Sequence, residues 1–458
     1  MSLNKQNKLL ILFNHLTKGK GPKAILARGG LSSFIVKSLG VLLTFILNIV
    51  LARTLGAKEY GIYVLSFSWI ALLGILATVG LDIAIIRFVP TYNKQKKWAL
   101  LKGIILKSRQ ISILSSTIIA ILSILIALAL RNHINRDLEY TFLTGCVLLP
   151  LYVIVRINQA IFRGFKKIIL ALTPESVGHP LLLICIAILF YSYYPSALKA
   201  SYMMIVTVII YLIISVITFI ILNRILPYNI EEITPSFKTS DWIKVAIPLF
   251  LISGLYIILS RTDIVMVGAI KNAKASGCYS VASNVSAFVA FGLLSINSIL
   301  APMISEYHGM GDKKSLQGLI TTASLIITAF SIPVAIFLVV CGKWILQLFG
   351  TAFLTAYPAL VILIIGQTIS SLIGSVGYIM IMTGHQNAAA KIVLVGAIGN
   401  ILLNCILIPI WGMNGAAVAT TISTIWWNVA MYIFVKKRLH IEPTIYGYIK
   451  NKGSKCVE

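Results

Sequence analysis

A small set of polar and charged residues lies inside, or at the ends of, long apolar stretches of the sequence. They are Lys37, Asn48, Arg53, Arg156, Glu175, Arg261, Asp263, Asn400 and Asn404. A charged side chain within such a stretch is energetically costly, so each is a candidate for function. Four of them are basic, and arginine and lysine bind phosphate through charge-assisted hydrogen bonds. The set therefore indicates an anionic ligand held inside an apolar protein.

The basic candidates allow two interpretations. Lys37 lies about 9 Å into the first apolar segment at 1.5 Å per helical residue. Arg156 precedes Arg163 on a similar helix face. Both could bind a ligand, or could extend along the helix to the membrane surface. We expect Arg53 and Arg261, at the ends of two segments, either to flank the mouth of a central cavity or to anchor helix ends at lipid headgroups.

An acidic candidate lies where its helix should be interrupted. Pro174 and Pro180 remove backbone hydrogen bonds, so the helix is predicted to kink or break around Glu175. Irregular backbone at membrane depth is found where it lines a cavity or is buried in protein. Glu175 is therefore a candidate for binding a coupling cation or proton. The alternative is a structural ion pair with Lys37 or Arg156.

Asp263 is a second candidate for ion coupling. Arg261 is two residues away and does not face it on a helix, so the two do not neutralise each other. Asp82, at the end of a segment, is predicted to form a structural pair with Arg87.

Three amides could hydrogen-bond a neutral ligand. Asn400 and Asn404 lie four residues apart on one helix face, and Asn48 lies near the end of the first segment. A buried amide needs a partner, here either in a neighbouring helix or in a wet cavity.

The composition is typical of a polytopic membrane protein, since 58% of the 458 residues are hydrophobic and 11% are charged. The 39 Lys and Arg against 13 Asp and Glu would suggest nucleic acid in a soluble protein. Here they lie between apolar segments, as in cytoplasmic loops, so we expect no nucleic-acid partner. The six cysteines have no metal spacing and no nucleotide-binding motif is present. We predict no cofactor, no metal and no enzymatic activity.

Twelve apolar segments are long enough to cross a bilayer as helices. They lie near 31–51, 60–81, 110–130, 140–162, 168–190, 200–222, 243–265, 279–302, 317–340, 357–381, 391–411 and 415–435. We predict an all-α membrane protein with twelve transmembrane helices in two pseudo-symmetric six-helix bundles around a central cavity.

The predicted bundles span 31–222 and 243–435. A linker at 223–242 joins them, and basic tails lie at 1–30 and 436–458. Lys and Arg concentrate in the tails and alternate connections, which places both termini on the cytoplasmic side of the cell membrane. The two halves share two motifs. Leu-x-Arg-Thr begins at Leu51 and again at Leu259, and Gly-x-Tyr begins at Gly61 and again at Gly277. Such a parallel repeat relates two bundles by an axis along the membrane normal.

Two stretches carry a resemblance to a known family. One is Asn48-x-x-Leu51-Ala-Arg53-x-Leu-Gly56-x-x-x-Tyr60-Gly61-x-Tyr63. The other begins at Thr383-Gly384-His385 and includes Gly399-Asn400-x-x-Leu403-Asn404, Ile408-Pro409 and Gly412-x-x-Gly415. Together with Ser260-Arg261-Thr262-Asp263, they are similar to Wzx-type polysaccharide flippases of the multidrug/oligosaccharidyl-lipid/polysaccharide exporter superfamily.

The resemblance implies transport of a polyprenyl-pyrophosphate-linked oligosaccharide to the outer leaflet by alternating access, coupled to an ion gradient. Lys37, Arg53, Arg156 and Arg261 would then bind the pyrophosphate. Asn48, Asn400 and Asn404 would bind sugar hydroxyls. The expected partners are membrane lipids and the glycan polymerase and glycosyltransferases of the same pathway.

Other functions stay open. A drug/cation antiporter of the same superfamily would favour acidic rather than basic candidates. A lipid II flippase would share a basic cavity, but Val41 to Val50 carries no basic residue, whereas that subfamily has a charge-rich first helix. A glycan polymerase or ligase would require a large outer loop, and the loops around 267–278 and 342–356 are short. A non-transporting assembly protein is a further alternative, disfavoured by the charges within the apolar segments.

Overall fold

The computed structural model describes residues 22–132, 135–193, 198–226 and 232–444 of the chain. The regular structure in these ranges is entirely helical. The amino-terminal half contains α1 (Pro22–Thr78), α2 (Leu81–Lys94), α3 (Trp98–Ala129), α4 (Arg136–Gly164), α5 (Ile168–Thr173), α6 (His179–Tyr193) and α7 (Ala200–Ile225). The carboxy-terminal half contains α8 (Thr239–Ile270), α9 (Ala273–Gly309), α10 (Lys313–Phe349), α11 (Tyr357–Ile373), α12 (Val376–Met382), α13 (Gln386–Trp411) and α14 (Met413–Phe434). The predicted basic tails lie in large part outside the described residues, at 1–21 and 445–458.

The helices account for twelve membrane crossings. Ten segments of the described residues are long and apolar enough to cross a membrane. The first of them, Ile35–Thr78, is 44 residues long. It turns at Gly56, where φ is 74° and ψ is 167°, so α1 supplies two crossings. The 32 residues of α8 supply one more, because about 20 suffice. The predicted all-α architecture of twelve transmembrane helices is confirmed.

Two of the crossings are interrupted. A π-helical turn at Pro174–Gly178 separates α5 from α6, which confirms the interruption predicted around Glu175. The second interruption contradicts the continuous segment predicted at 357–381, because the chain breaks between α11 and α12 at Gly374, where φ is 88°. The carbonyl oxygen of Pro443 lies 2.8 Å from where a Cβ on Gly374 would be. A contact distant in sequence therefore requires the glycine, and the local composition does not reveal it.

Residues 440–444 fold back along the carboxy-terminal half. Gln317 of α10 accepts a hydrogen bond from the Glu442 N–H at 2.9 Å and donates one to the Glu442 carbonyl at 2.8 Å. Ser324 of α10 donates to the carbonyl of Pro443. The Glu442 carboxylate lies 3.3 Å from the ammonium of Lys436. This part of the segment predicted as a tail is thus docked onto α10 and the end of the last crossing.

A helix not foreseen in the sequence joins the linker to the amino-terminal half. The second apolar segment is predicted to end at 81, but α2 begins there, after Gly80 in a left-handed conformation with φ 73°. Tyr92 of α2 accepts a hydrogen bond from the buried Trp242 indole of α8 at 3.0 Å. The N–H of Ser236 donates to the carbonyl of Ala99 at 3.0 Å. We call this region, around the contacts of Tyr92 with Trp242 and of Ala99 with Ser236, the linker end.

The two halves also meet at the opposite end, which we call the closed end and define by residues 53–61, 273–279 and 347–353. Gly61 and Gly277, one from each copy of the predicted repeat, are in direct contact: a Cβ on Gly277 would lie 2.7 Å from the Gly61 Cα. The rings of Tyr60 and Phe353 meet edge to face with centroids 5.7 Å apart. Small residues allow helix backbones to approach this closely where lipid provides no hydrophobic drive for association.

Candidate functional site

Five polar side chains meet inside the carboxy-terminal half, and we call them the Asp263 cluster. They are Asp263 of α8, Tyr279 of α9, Asn400 and Asn404 of α13, and Thr420 of α14. One carboxylate oxygen of Asp263 accepts a hydrogen bond from the Asn404 amide at 2.6 Å. The other accepts from the Tyr279 hydroxyl at 3.1 Å and from Thr420. The Asn404 amide also donates to Asn400 Oδ1 at 3.1 Å.

Close packing of α13 and α14 positions the cluster. A Cβ on Gly415 of α14 would lie only 2.2 Å from the Leu407 carbonyl of α13, so glycine is needed for the two helices to approach. The Lys271 ammonium, just after α8, donates to the Pro409 carbonyl of α13 at 2.8 Å. These contacts bring the helices that carry the Asp263 cluster close together in this conformation.

The Asp263 cluster is an oxygen-rich site with a single carboxylate. Asp263 is 5% exposed, and Asn400 and Asn404 are 2% and 0% exposed. Asn404 Oδ1 is buried and has no hydrogen-bond partner in the part of the chain that the structure describes. Burial of a carboxylate and an unpaired acceptor is costly. A proton or a small monovalent cation would offset that cost, and oxygen ligands of these types suit hard cations.

The sequence analysis predicts different roles for these residues. Asn400 and Asn404 are predicted to bind sugar hydroxyls, and Asp263 is predicted to couple transport to an ion. The structure brings the three residues into one cluster, with Asn400 and Asn404 buried inside one half. Sugar binding by these amides stays a prediction, and this conformation does not present them to a large ligand.

A second group of polar side chains lies in the amino-terminal half, and we call it the Arg156 cluster. It consists of Arg156 and Tyr152 of α4, Asp82 of α2, and Glu175 of the π-helical turn. The Arg156 guanidinium lies 3.6 Å from an Asp82 carboxylate oxygen and donates to the Tyr152 hydroxyl at 3.3 Å. Glu175 interacts with it electrostatically. A guanidinium has five N–H donors, so these long contacts leave it able to bind a further anion.

Asp82 does not pair with Arg87, and that prediction is wrong. Its ion-pair partner is Arg156, while the Arg87 guanidinium lies over the ring of Phe88, 5.9 Å from its centroid. Residues five apart on an α-helix point about 140° away from each other at 3.6 residues per turn. The sequence separation of Asp82 and Arg87 is therefore unfavourable, and the packing of α2 against α4 provides the partner.

The irregular backbone of the π-helical turn sets the position of Glu175. The first helix lies directly against this turn, because a Cβ on Gly40 of α1 would be 2.7 Å from the Ser176 Cβ. Glu175 is half-buried and interacts electrostatically with Arg156 and Arg163. Among the described residues Glu175 forms no direct ion pair, so a structural pair with Lys37 or with Arg156 stays a prediction. Ion coupling by Glu175 stays a prediction.

Arg261 belongs to the carboxy-terminal half but interacts with residues of the amino-terminal half. It is half-buried and interacts electrostatically with Tyr60 and with Tyr152 of the Arg156 cluster. Arg156 and Arg261, one from each half, thus both interact electrostatically with Tyr152. Lys37 is exposed on α1, and its role as a ligand stays a prediction.

Arg53 and Asn48 take part in the closed end. The Arg53 guanidinium donates to the carbonyls of Leu348 at 2.6 Å and Gln347 at 3.1 Å. These carbonyls lie in the last turn of α10, where the helix dipole favours a cation. The Tyr60 hydroxyl donates to Asn48 Oδ1 at 3.1 Å. In this conformation Arg53 joins the two halves, and anion binding by either residue stays a prediction.

We expect Arg53→Gln to loosen the closed end, because glutamine cannot span the two carbonyls or place a positive charge at the end of α10. Backbone amides in residues 347–353 should exchange hydrogen roughly two- to tenfold faster than in the unaltered protein, as expected for loss of a charge-assisted contact. Hydrogen–deuterium exchange with mass spectrometry measures this. Arg131→Gln, a change at an exposed arginine in the turn after α3, is the control and should leave that segment unaffected. Equal exchange in both variants would contradict a role for Arg53 in closure.

The sequence prediction missed a third polar contact, inside the amino-terminal half. Arg109 of α3 donates to Asn158 Oδ1 at 2.9 Å, and the Asn158 amide donates to Thr218 at 3.1 Å. The predicted third segment begins at 110, which places Arg109 in a connection. One sequence feature could have indicated that Arg109 belongs to the helix. It lies three and seven residues before Ser112 and Ser116, a helical spacing that places the three on one face, and both serines are fully buried.

Solved structures share this fold. An inward-facing multidrug resistance MATE transporter of the MOP superfamily is 13% identical with a TM-score of 0.71, over 90% of this chain and 98% of that one. The lipid II flippase MurJ in an inward closed conformation is 18% identical with a TM-score of 0.65, over 90% of this chain and 88% of that one. At such low identity the likeness concerns the fold.

Sequence relatives occur among archaea. An uncharacterized membrane protein of Methanocaldococcus jannaschii is 25% identical over 406 residues, which cover 82% of this chain and 77% of the relative. A probable low-salt glycan biosynthesis flippase of Haloferax volcanii is 25% identical over 165 residues, which cover 36% of this chain and 35% of the relative.

Family profiles match both halves. The MatE profile matches residues 248–406, and the profile of the polysaccharide biosynthesis protein family matches residues 26–308, more than half of the chain. The chain belongs to the polysaccharide biosynthesis protein family within the multidrug/oligosaccharidyl-lipid/polysaccharide exporter superfamily, and it is a membrane flippase or transporter rather than an enzyme.

Proposed function

We propose that this protein moves a polyprenyl-pyrophosphate-linked oligosaccharide from the cytoplasmic to the outer leaflet of the cell membrane by alternating access. The observation that carries the proposal is that Arg156 donates a hydrogen bond to the Tyr152 hydroxyl at 3.3 Å, while Arg261 of the other half interacts electrostatically with the same tyrosine. The family, and the glycan biosynthesis flippase among its relatives, support a glycan cargo.

The two arginines suit a pyrophosphate group. A diphosphate carries several acceptor oxygens and more than one negative charge, so it binds best where guanidinium groups converge on it. Arg156 keeps 22% of its side chain exposed, and Arg261 is half-buried on the facing half. An anion bridging them would attract both halves, and its release would allow them to separate. The charge of the cargo is thus linked to the conformational change that carries it.

The Asp263 cluster is our candidate for ion coupling. It has one carboxylate with hydrogen-bond partners on three other helices, so the arrival or departure of one positive charge would change how α8 packs against α9, α13 and α14. Glu175 of the Arg156 cluster is the second candidate, because it interacts with an arginine that we assign to the cargo. A sodium or proton gradient would supply the driving force.

The predicted orientation places the linker end and both termini on the cytoplasmic side. The closed end then faces outward, and this conformation receives cargo from the cytoplasmic leaflet. The polyprenyl chain would remain among membrane lipids while the pyrophosphate and glycan pass between the halves. Glycosyltransferases that complete the glycan and a polymerase that consumes it are the expected pathway partners.

The test is flipping of a fluorescent polyprenyl-pyrophosphate oligosaccharide in proteoliposomes, followed by the accessibility of the labelled glycan to an added quencher. The intact protein should equilibrate the glycan across the bilayer. Arg156→Ala and Arg261→Ala should each slow flipping by about 100-fold or more, since each removes a charge-assisted contact to phosphate worth at least about 2.7 kcal/mol. Arg131→Ala, at an exposed arginine, should flip at the normal rate. An intact protein that transports an organic cation but never the glycan would establish a drug/cation antiporter instead.

A further inference from the structure

The ion pair between Arg156 and Asp82 lacks the geometry of an ion pair that serves stability alone. Its N–O distance is 3.6 Å, whereas charge-assisted hydrogen bonds of this type measure about 2.7–2.9 Å and are commonly bidentate. The second Asp82 oxygen, Oδ1, is buried and lacks a hydrogen-bond partner in the part of the chain that the structure describes. A buried ion pair stabilises a fold only with good geometry and further hydrogen bonds. Asp82 therefore holds Arg156 weakly.

The carboxylate of Asp82 has other favourable surroundings. Asp82 lies in the first turn of α2, where the helix dipole and free N–H groups stabilise a negative charge. It also interacts electrostatically with Arg163. Asp82 can thus move away from Arg156 and remain charged. The Arg156 guanidinium would then be open to another anion.

We infer that Asp82 occupies, in the unloaded protein, the place on Arg156 that the pyrophosphate of the cargo takes, so that loading exchanges one anion for the other. This inference rests on the proposed function. In either state the guanidinium has an anionic partner, which avoids the penalty of an unpaired charge. Return of Asp82 to Arg156 assists release of the pyrophosphate in the outer leaflet. Asp82 therefore lowers the affinity for the cargo and speeds its departure.

The inference predicts the sign of a binding change. Full-length protein in detergent is titrated with inorganic pyrophosphate in a calorimeter. Asp82→Asn should bind pyrophosphate about tenfold more tightly than the intact protein, because the competing anion is gone. Asp82→Glu, which keeps the charge, should stay within about threefold of the intact protein. Asp137→Asn is the matched control: this carboxylate lies near Lys58 and Lys199, 3.7 Å from each, and its removal should leave the affinity unchanged.

Two further variants separate this inference from the proposed function. Arg156→Ala should bind pyrophosphate weakly, and Asp82→Asn should give no gain when combined with it. Equal binding by Arg156→Ala and the intact protein would overturn the assignment of Arg156 to the cargo, whatever Asp82 does. If binding depends on Arg156 but Asp82→Asn binds equally or more weakly, the exchange is overturned, and Asp82 is instead a residue that positions Arg156.

A spectroscopic measurement does not depend on the folding of Asp82→Asn. Pyrophosphate added to the intact protein should change a carboxylate stretching band in the infrared difference spectrum, and Asp82→Glu should shift that band. The same band should persist in Glu175→Gln, which excludes the other carboxylate of the Arg156 cluster. A difference spectrum with no band sensitive to Asp82→Glu would overturn the exchange.

Discussion

Replacement of Asp263 by asparagine is expected to abolish the dependence of transport on a cation gradient. Asp263 supplies the only carboxylate of the Asp263 cluster, and it accepts hydrogen bonds from Tyr279, Asn404 and Thr420. The amide has a similar shape but no charge, so the remaining neutral oxygens of the cluster cannot balance the charge of a dehydrated cation. Flipping without a gradient should continue, because the Arg156 cluster is unchanged.

Thermal unfolding in a titration with sodium measures the binding part of this prediction. A ligand that binds the folded state alone stabilises it by about 2.7 kcal/mol at a hundred times its dissociation constant. The Tm of the intact protein should therefore rise clearly with sodium. Where the coupling ion is a proton, its Tm should rise with acidification instead. Asp263→Asn should show neither rise. Glu306→Gln, which removes an exposed carboxylate of α9, should respond as the intact protein does. A full rise in Asp263→Asn would place the cation elsewhere.

Replacement of Gly61 by valine is expected to force the closed end apart. A Cβ on Gly61 would lie 1.9 Å from the Ala273 carbonyl oxygen and 2.6 Å from its carbon. Both are backbone atoms, so α1 and α9 must separate, and overpacking of this kind typically costs about 1–3 kcal/mol or more. The conformation in which the halves meet here should lose population to one in which they are separated. Flipping should fall, because alternating access needs both conformations.

The thiol of Cys278, beside Gly277, reports on this opening. It is 2% exposed in the intact protein, so it should react slowly with a water-soluble maleimide. With the other cysteines replaced, Gly61→Val should increase that rate by about tenfold or more, as expected when a buried site opens. Gly399→Val is the matched control, since a Cβ on this glycine of α13 meets nothing within 4 Å. A protected Cys278 in Gly61→Val would mean that the helices accommodate the side chain without opening.

The sequence predicts those features of the fold that depend on local pattern. The lengths of the apolar segments predict the crossings, and the prolines flanking Glu175 predict the π-helical interruption, because each property acts within one helix. The break at Gly374 has no such local signal. It depends on the carbonyl of Pro443, which is distant in sequence and belongs to a segment predicted as a tail.

The candidate site was only partly predictable for the same reason. Asn400 and Asn404 clearly needed partners, but Asp263 is 141 residues from Asn404, and no pattern in one sequence specifies that contact. For Asp82, proximity in sequence favoured Arg87, whereas the packing of α2 against α4 selects Arg156. Residue types that could bind an anion or a cation were identifiable, while their grouping into an Arg156 cluster and an Asp263 cluster required the structure.

The contacts that join the halves at the closed end have a consequence for how the protein responds to acidity. They include a glycine–glycine contact, an aromatic pair, and a guanidinium bonded to helix-terminal carbonyls, and none of these three depends on a carboxylate or an imidazole. Protonation of a carboxylate or an imidazole therefore does not directly weaken these three contacts. A change in pH would instead act on carboxylates elsewhere in the helices, such as Asp82, Glu175 and Asp263. In the orientation that we propose, the closed end faces the exterior, so an acidic exterior would leave these contacts between the halves directly unaffected.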